Sequence, residues 1–146
     1  MTAPAVTPAQ DRVLNILLVE DDEIDVMNVR RAFQKNHIAN PLFVAGDGVE
    51  ALEQLRGGVI PGGRRIVLLD LNMPRMNGIE FLKALRADPA LASTPVVVLT
   101  TSNDERDKID AYDLNVAGYL LKPVTFSNFC EVMAALNKYW TLVEMP

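Results

Sequence analysis

The chain has 146 residues, 49% hydrophobic and 23% charged, with a formal charge of -5 and a pI near 4.8. That size and mix suit one soluble domain with a core of its own, and the acidity excludes a general attraction to nucleic-acid phosphates, for which no local basic patch compensates. No apolar run approaches the roughly 20 residues of a membrane helix, and the single cysteine, Cys130, cannot form an internal disulfide, so a cytoplasmic protein without a membrane role is expected.

The opening stretch MTAPAVTPAQDR has small residues and prolines but no apolar core, so residues 1–12 are read as a flexible tail rather than a signal or an anchor. LNILLV, from Leu14, is a buried strand that ends on Glu20, Asp21 and Asp22. From Glu23 to about Asn36 the pattern is amphipathic, with Ile24, Met27, Val29, Ala32 and Phe33 near one face of a helix. Pro41 breaks it. Leu42 to Ala45 then read as a short edge strand, and Asp47 with Glu50 resembles a capping box opening a helix with Val49, Leu52 and Leu55 as its stripe. That helix stops at Gly57-Gly58, before a loop, GGVIPGGRR, expected to be loose.

Ile66 to Leu69 form the next strand, uniformly apolar as in a parallel sheet covered on both faces, and it ends abruptly on Asp70. Asn77 and Glu80 repeat the capping pattern ahead of a helix with Ile79, Leu82 and Leu85, which stops near Asp88-Pro89. Pro95 starts VVVL, a fourth strand that delivers Thr100, Thr101 and Ser102 to its end. Ser102 with Glu105 is expected to cap a helix to about Leu114, supported on its apolar side only by Ile109, Tyr112 and Leu114. Gly118 to Leu121 form the fifth strand, ending at Lys122-Pro123, and Phe126, Phe129, Met133, Leu136 and Trp140 line a last helix. Cys130, among these, is read as a packed core thiol, and His37 as a helix-end residue rather than a ligand.

Alternating strands and helices imply an α/β fold, a five-stranded parallel sheet doubly wound with five helices, in one domain over residues 13–140 with a short tail at 141–146. In such a sheet the strand ends share one edge, where ligands usually bind. Glu20 and Asp21, Asp70, Thr100 and Lys122 would therefore meet. Gathered carboxylates repel one another, and an oxygen-only set favours a hard cation, Mg²⁺ in particular. Lys122 supplies a charge and Thr100 a hydroxyl suited to a phosphoryl group, so Asp70 as the nucleophile of a phosphoryl transfer makes a chemically complete site.

LLVEDDE, LLDLNMPRMNG, VLTTS and GYLLKP, in this order and spacing, resemble the receiver domain of bacterial response regulators over about residues 14 to 140. The resemblance implies the flavodoxin-like strand order 2-1-3-4-5. It further implies phosphotransfer from a sensor histidine kinase to Asp70, with Glu20, Asp21, Asp70 and the backbone carbonyl of Asn72 holding Mg²⁺. Thr100 and Lys122 match the residues that engage the phosphoryl group, and Tyr119 matches the aromatic partner of Thr100 in the switch. Asn72 and Thr101 flank the site where the family tunes the phosphoryl lifetime, and Asp22 is placed near the start of the first helix. DDEIDVMNVRRAF, NPLFVAGDGVEAL and the late YW resemble more loosely the stand-alone receivers that partner bacterial phytochromes, which are often homodimers.

The expected protein is a signalling switch, not an enzyme beyond its own phosphorylation and hydrolysis, with the helix 4, strand 5, helix 5 face meeting a downstream protein. A phosphorelay intermediate serving a histidine phosphotransfer protein, and an unphosphorylated scaffold, are the alternatives. A small-substrate phosphohydrolase would need a second acid-base carboxylate and a cap, which LNMPRMNG does not supply.

Overall fold

The computed structural model describes residues 13–61, 64–123 and 125–144. The tail expected at 1–12 therefore lies outside the described residues, and of the tail expected at 141–146, Thr141 and Leu142 belong to the last helix while 145 and 146 lie outside the described residues. Five strands, β1 (Asn15–Val19), β2 (Leu42–Ala45), β3 (Arg65–Leu69), β4 (Val96–Thr100) and β5 (Gly118–Leu121), alternate with α1 (Glu23–Lys35), α2 (Gly48–Arg56), α3 (Gly78–Ala87), α4 (Glu105–Asp113) and α5 (Phe126–Leu142). All neighbouring strands pair in parallel, in the order β2-β1-β3-β4-β5. This is the doubly wound α/β fold that the apolar runs imply.

Alternate residues of each central strand enter different cores, as the two-residue period of a strand requires. Leu17, Val19, Val67, Leu69, Val96 and Val98 pack with α2, α3 and Ala111 of α4. Ile16, Leu18, Ile66, Leu68, Val97 and Leu99 pack with α1 and α5. Burial on both faces explains why these strands are uniformly apolar from Ile16 to Val19, from Ile66 to Leu69 and from Val96 to Leu99. On the second face the rings of Phe33 and Trp140 meet at 6.2 Å, and the Asn36 amide donates to the Cys130 carbonyl, tying the end of α1 to α5. Cys130 is buried, as its spacing suggests.

Four local expectations are corrected. Ile24 and Met27 of α1 are exposed, and its core face is Val29, Ala32 and Phe33. Ile109 and Tyr112 are each 53% exposed, so α4 rests on the small Ala111 rather than on its larger apolar residues. Asp104, not Ser102, caps α4, because β4 runs one residue further than VVVL and Ser102 instead gives its hydroxyl to Asp107 at 2.6 Å. At α2 Asp47 accepts from the Glu50 amide, but the return bond of Glu50 goes to Gly46 rather than to the cap. The capping box at Asn77 and Glu80 is complete. Of the loop before β3, expected to be loose, Ile60 is buried in the core, and residues 62 and 63 lie outside the described residues.

Candidate functional site

The sheet register places the site. Val19 pairs with Leu69, and Leu69 with Val98, so the residues just beyond them emerge side by side. Glu20 donates its amide to the Ala45 carbonyl, Asp70 to the Val19 carbonyl and Lys122 to the Thr100 carbonyl, which extends the ladder by one residue at three strand ends. Backbone pairing therefore holds Glu20, Asp70 and Lys122 on one edge before any side chain contributes.

Asp70 is 6% exposed, and its Oδ1 accepts the hydroxyl of the fully buried Thr100 at 2.7 Å. The Thr100 oxygen in turn accepts the Ser102 amide at 3.3 Å. Lys122 reaches into the cluster, with Nζ 2.5 Å from Glu20 Oε2, 2.9 Å from Asp25 Oδ2 and 3.8 Å from Asp70 Oδ2. Burial pushes the Glu20 carboxyl up to about 7, against the hydrogen bond from Lys122, and the negative charge of Asp70 adds to the rise. Burial also opposes the charge on Lys122, but its bonds to Glu20 and Asp25 outweigh that and raise its pKa. Lys122 therefore stays a cation.

Glu20, Asp21 and Asp70 each present a carboxylate oxygen, all within 4.8 Å of one another. Two are buried and Asp21 is exposed, so the cluster opens to solvent on one side. The donor set is oxygen only, and one ammonium must balance several carboxylates. That set fits a hard divalent cation retaining some of its waters. Asp22 turns away: its side chain accepts the amides of Ile24 and Asp25 and caps α1. Asn72 and Thr101 lie exposed beyond β3 and β4, beside the cluster in sequence.

The loop after Asp70 is held from two sides. Gly78 is required, because a Cβ there would lie 2.7 Å from the Asp70 carbonyl oxygen and from Leu71 Cα. Arg75 adopts a left-handed φ of 61° and its guanidinium pairs with Asp47 at 2.7 Å. Tyr119, on β5, donates its hydroxyl to the Ser102 carbonyl at 2.8 Å. Ser102 thus receives contacts from both Thr100 and Tyr119.

The structure brings together Glu20, Asp21, Asp70, Thr100 and Lys122, and it links Tyr119 to them through Ser102. Asp25 and Ser102 were not legible as site residues. Asp25 stands in the first turn of α1, where an acid is ordinarily a favourable solvated charge, and only the fold reveals that it meets Lys122.

The family model of the response regulator receiver domain matches residues 16–134. The chain belongs to this family. Among curated relatives of the receiver, the probable methanogenesis regulatory protein FilR2 of Methanothrix harundinacea is 37% identical over 130 residues, covering 86% of this chain and 82% of FilR2. Response regulator Rcp1 of Synechocystis sp. is 35% identical over 128 residues, covering 86% of this chain and 87% of Rcp1. The crystal structure of the phosphorylated cyanobacterial phytochrome response regulator RcpA matches this receiver with a TM-score of 0.82 at 32% identity, over 90% of this chain and 97% of that one. The Mn²⁺-bound form of Rcp1 matches with a TM-score of 0.79, over 91% and 98%.

Proposed function

We propose that this receiver takes a phosphoryl group on Asp70 from a sensor histidine kinase and works as a two-state signalling switch. The observation that carries this reading is Asp70 itself, a buried carboxylate with a hydroxyl on one oxygen and an ammonium 3.8 Å from the other. An Asp70 oxygen bonds to phosphorus as the bond from phosphorus to the donor histidine nitrogen breaks, its electron pair remaining on that nitrogen. Lys122 and Thr100 receive two of the phosphoryl oxygens. Glu20, Asp21, Asp70 and the Asn72 carbonyl would hold Mg²⁺, which supplies neutralising charge for those oxygens when bound. That the related Rcp1 has a Mn²⁺-bound form supports a divalent cation as a ligand of this receiver.

When Thr100 turns from Asp70 to the phosphoryl group, Ser102 loses the bond to its oxygen and Tyr119 changes partner. The α4-β5-α5 face then changes shape. Ile109, Tyr112 and Leu121 are exposed on α4 and β5 and offer an apolar surface to a downstream protein or a second copy of the chain. The likeness to RcpA favours a phytochrome-type kinase as donor. Among the described residues no helix is long and apolar enough to cross a membrane, and we place the switch in the cytoplasm.

Intact-protein mass spectrometry after incubation with acetyl phosphate tests the reading. A Mg²⁺-dependent gain of one phosphoryl group, absent in Asp70→Asn, is expected. No phosphorylated species at any time point would remove the phosphoacceptor role and leave a scaffold.

A further inference from the structure

Lys122 is shared unequally. Its ammonium touches Glu20 and Asp25, while Asp70 stands at 3.8 Å, beyond hydrogen-bond distance. The two acceptors differ in what their release costs. The Glu20 side chain is 2% exposed, so losing Lys122 would leave a buried carboxylate unpaired, whereas the Asp25 side chain is 35% exposed and water can replace the lysine. Asp25 also belongs to a different element: it sits in the first turn of α1, and Lys122 follows β5.

We infer that Asp25 is a positioning residue that competes with the phosphoryl group for Lys122 and so sets the balance between the two states of the switch. This rests on the phosphoacceptor reading of Asp70. A phosphoryl group on Asp70 attracts the ammonium, which keeps Glu20 and gives up Asp25. The Asp25 ion pair exists only in the unmodified state and favours it. Its loss on phosphorylation also frees the start of α1 from the end of β5.

The test uses the full chain and beryllofluoride, a stable mimic of the phosphoryl group, titrated at saturating Mg²⁺ and followed by fluorine NMR. Asp25→Asn is expected to bind the mimic roughly fivefold more tightly than wild type, the effect of removing one partly exposed competing ion pair. Asp25→Glu, which keeps the charge, is expected to stay within about twofold of wild type. In a Lys122→Ala background Asp25→Asn should have no effect. A merely structural role for Asp25 would lower the Tm of both variants without tightening binding. Unchanged or weaker binding by Asp25→Asn, or the same tightening without Lys122, overturns the inference while leaving Asp70 as acceptor. Failure of wild type to bind the mimic would remove the phosphoacceptor reading and this one with it.

Discussion

Thr100 donates its hydroxyl to Asp70 across 2.7 Å, and neither residue has more than a trace of surface in contact with solvent. The bond satisfies a carboxylate oxygen that water cannot easily reach. Replacing Thr100 with Val keeps the shape and removes the donor, and a buried hydrogen bond to a charged group is worth about 1.5–3 kcal/mol. Thr100→Val is therefore expected to destabilise the Mg²⁺-free protein by an amount in that range in urea denaturation. Thr100→Ser, which keeps the hydroxyl, should lose less. A loss in Thr100→Ser alone, with Thr100→Val close to wild type, would mean that the methyl group, not the donor, matters.

Gly78 makes a second, purely steric prediction. A Cβ at this position meets the Asp70 carbonyl oxygen and Leu71 Cα, both backbone atoms that cannot swing aside. At Gly48 the nearest atoms instead belong to the Met76 side chain, with the Met76 carbonyl oxygen at 3.0 Å. Overpacking costs typically about 1–3 kcal/mol, so Gly78→Ala should fall at the upper end and Gly48→Ala, where a flexible side chain yields, at the lower. Urea midpoints of the two variants give the comparison. Gly78→Ala should also slow acetyl phosphate labelling, because the shifted atoms include the backbone of the acceptor.

These contacts mark where sequence reading stops. The strands are visible because burial on both faces leaves uninterrupted apolar runs, and the polar residue ending each run falls at the sheet edge by topology alone. Glu20, Asp70, Thr100 and Lys122 are legible for that reason. Asp25 is not, because an acid in a first helical turn has an ordinary local role and its partner lies far along the chain. Ser102 and Asp104 are both good caps, and the choice between them depends on β4 continuing through Thr100. Ile109 and Tyr112 resemble a core stripe in sequence, yet α4 turns them outward and rests on Ala111. An apolar residue does not say which surface it serves.

Asp47 and Arg75 carry a pH signature. The hydrogen bond from Arg75 is the main cause holding the Asp47 carboxyl below its ordinary value, with burial opposing it and the Glu50 amide assisting. A carboxyl depressed in the folded state adds stability that is present above its unfolded pKa, near 4, and is lost as pH falls through the lower folded value. Arg75→Ala should therefore reduce Tm at pH 7, and the gap from wild type should close in acid below about pH 4. A gap independent of pH would assign the effect to the loop conformation at Arg75 rather than to the ion pair.

Magnesium should act through Asp21 without Asp21 mattering to the metal-free fold. Glu20 and Asp70 are buried and paired with Lys122 or Thr100, whereas Asp21 is exposed and its carboxylate oxygen lies within 4.8 Å of theirs. Asp21→Asn removes charge from the open side of the cluster, and a surface substitution of this kind changes stability by no more than about 0.5 kcal/mol. A cation that binds only the folded chain raises Tm with concentration. Wild type should show that rise as Mg²⁺ is added, and Asp21→Asn should need a much higher concentration for the same shift. Asp70→Asn should be more stable than wild type without Mg²⁺, because it relieves the repulsion between Asp70 and Glu20, and should gain less from the metal. Thermal melts of the three proteins across a Mg²⁺ series decide the matter. An Asp21→Asn curve that overlays wild type would remove Asp21 from the metal site and leave Glu20 and Asp70 as its only side-chain ligands.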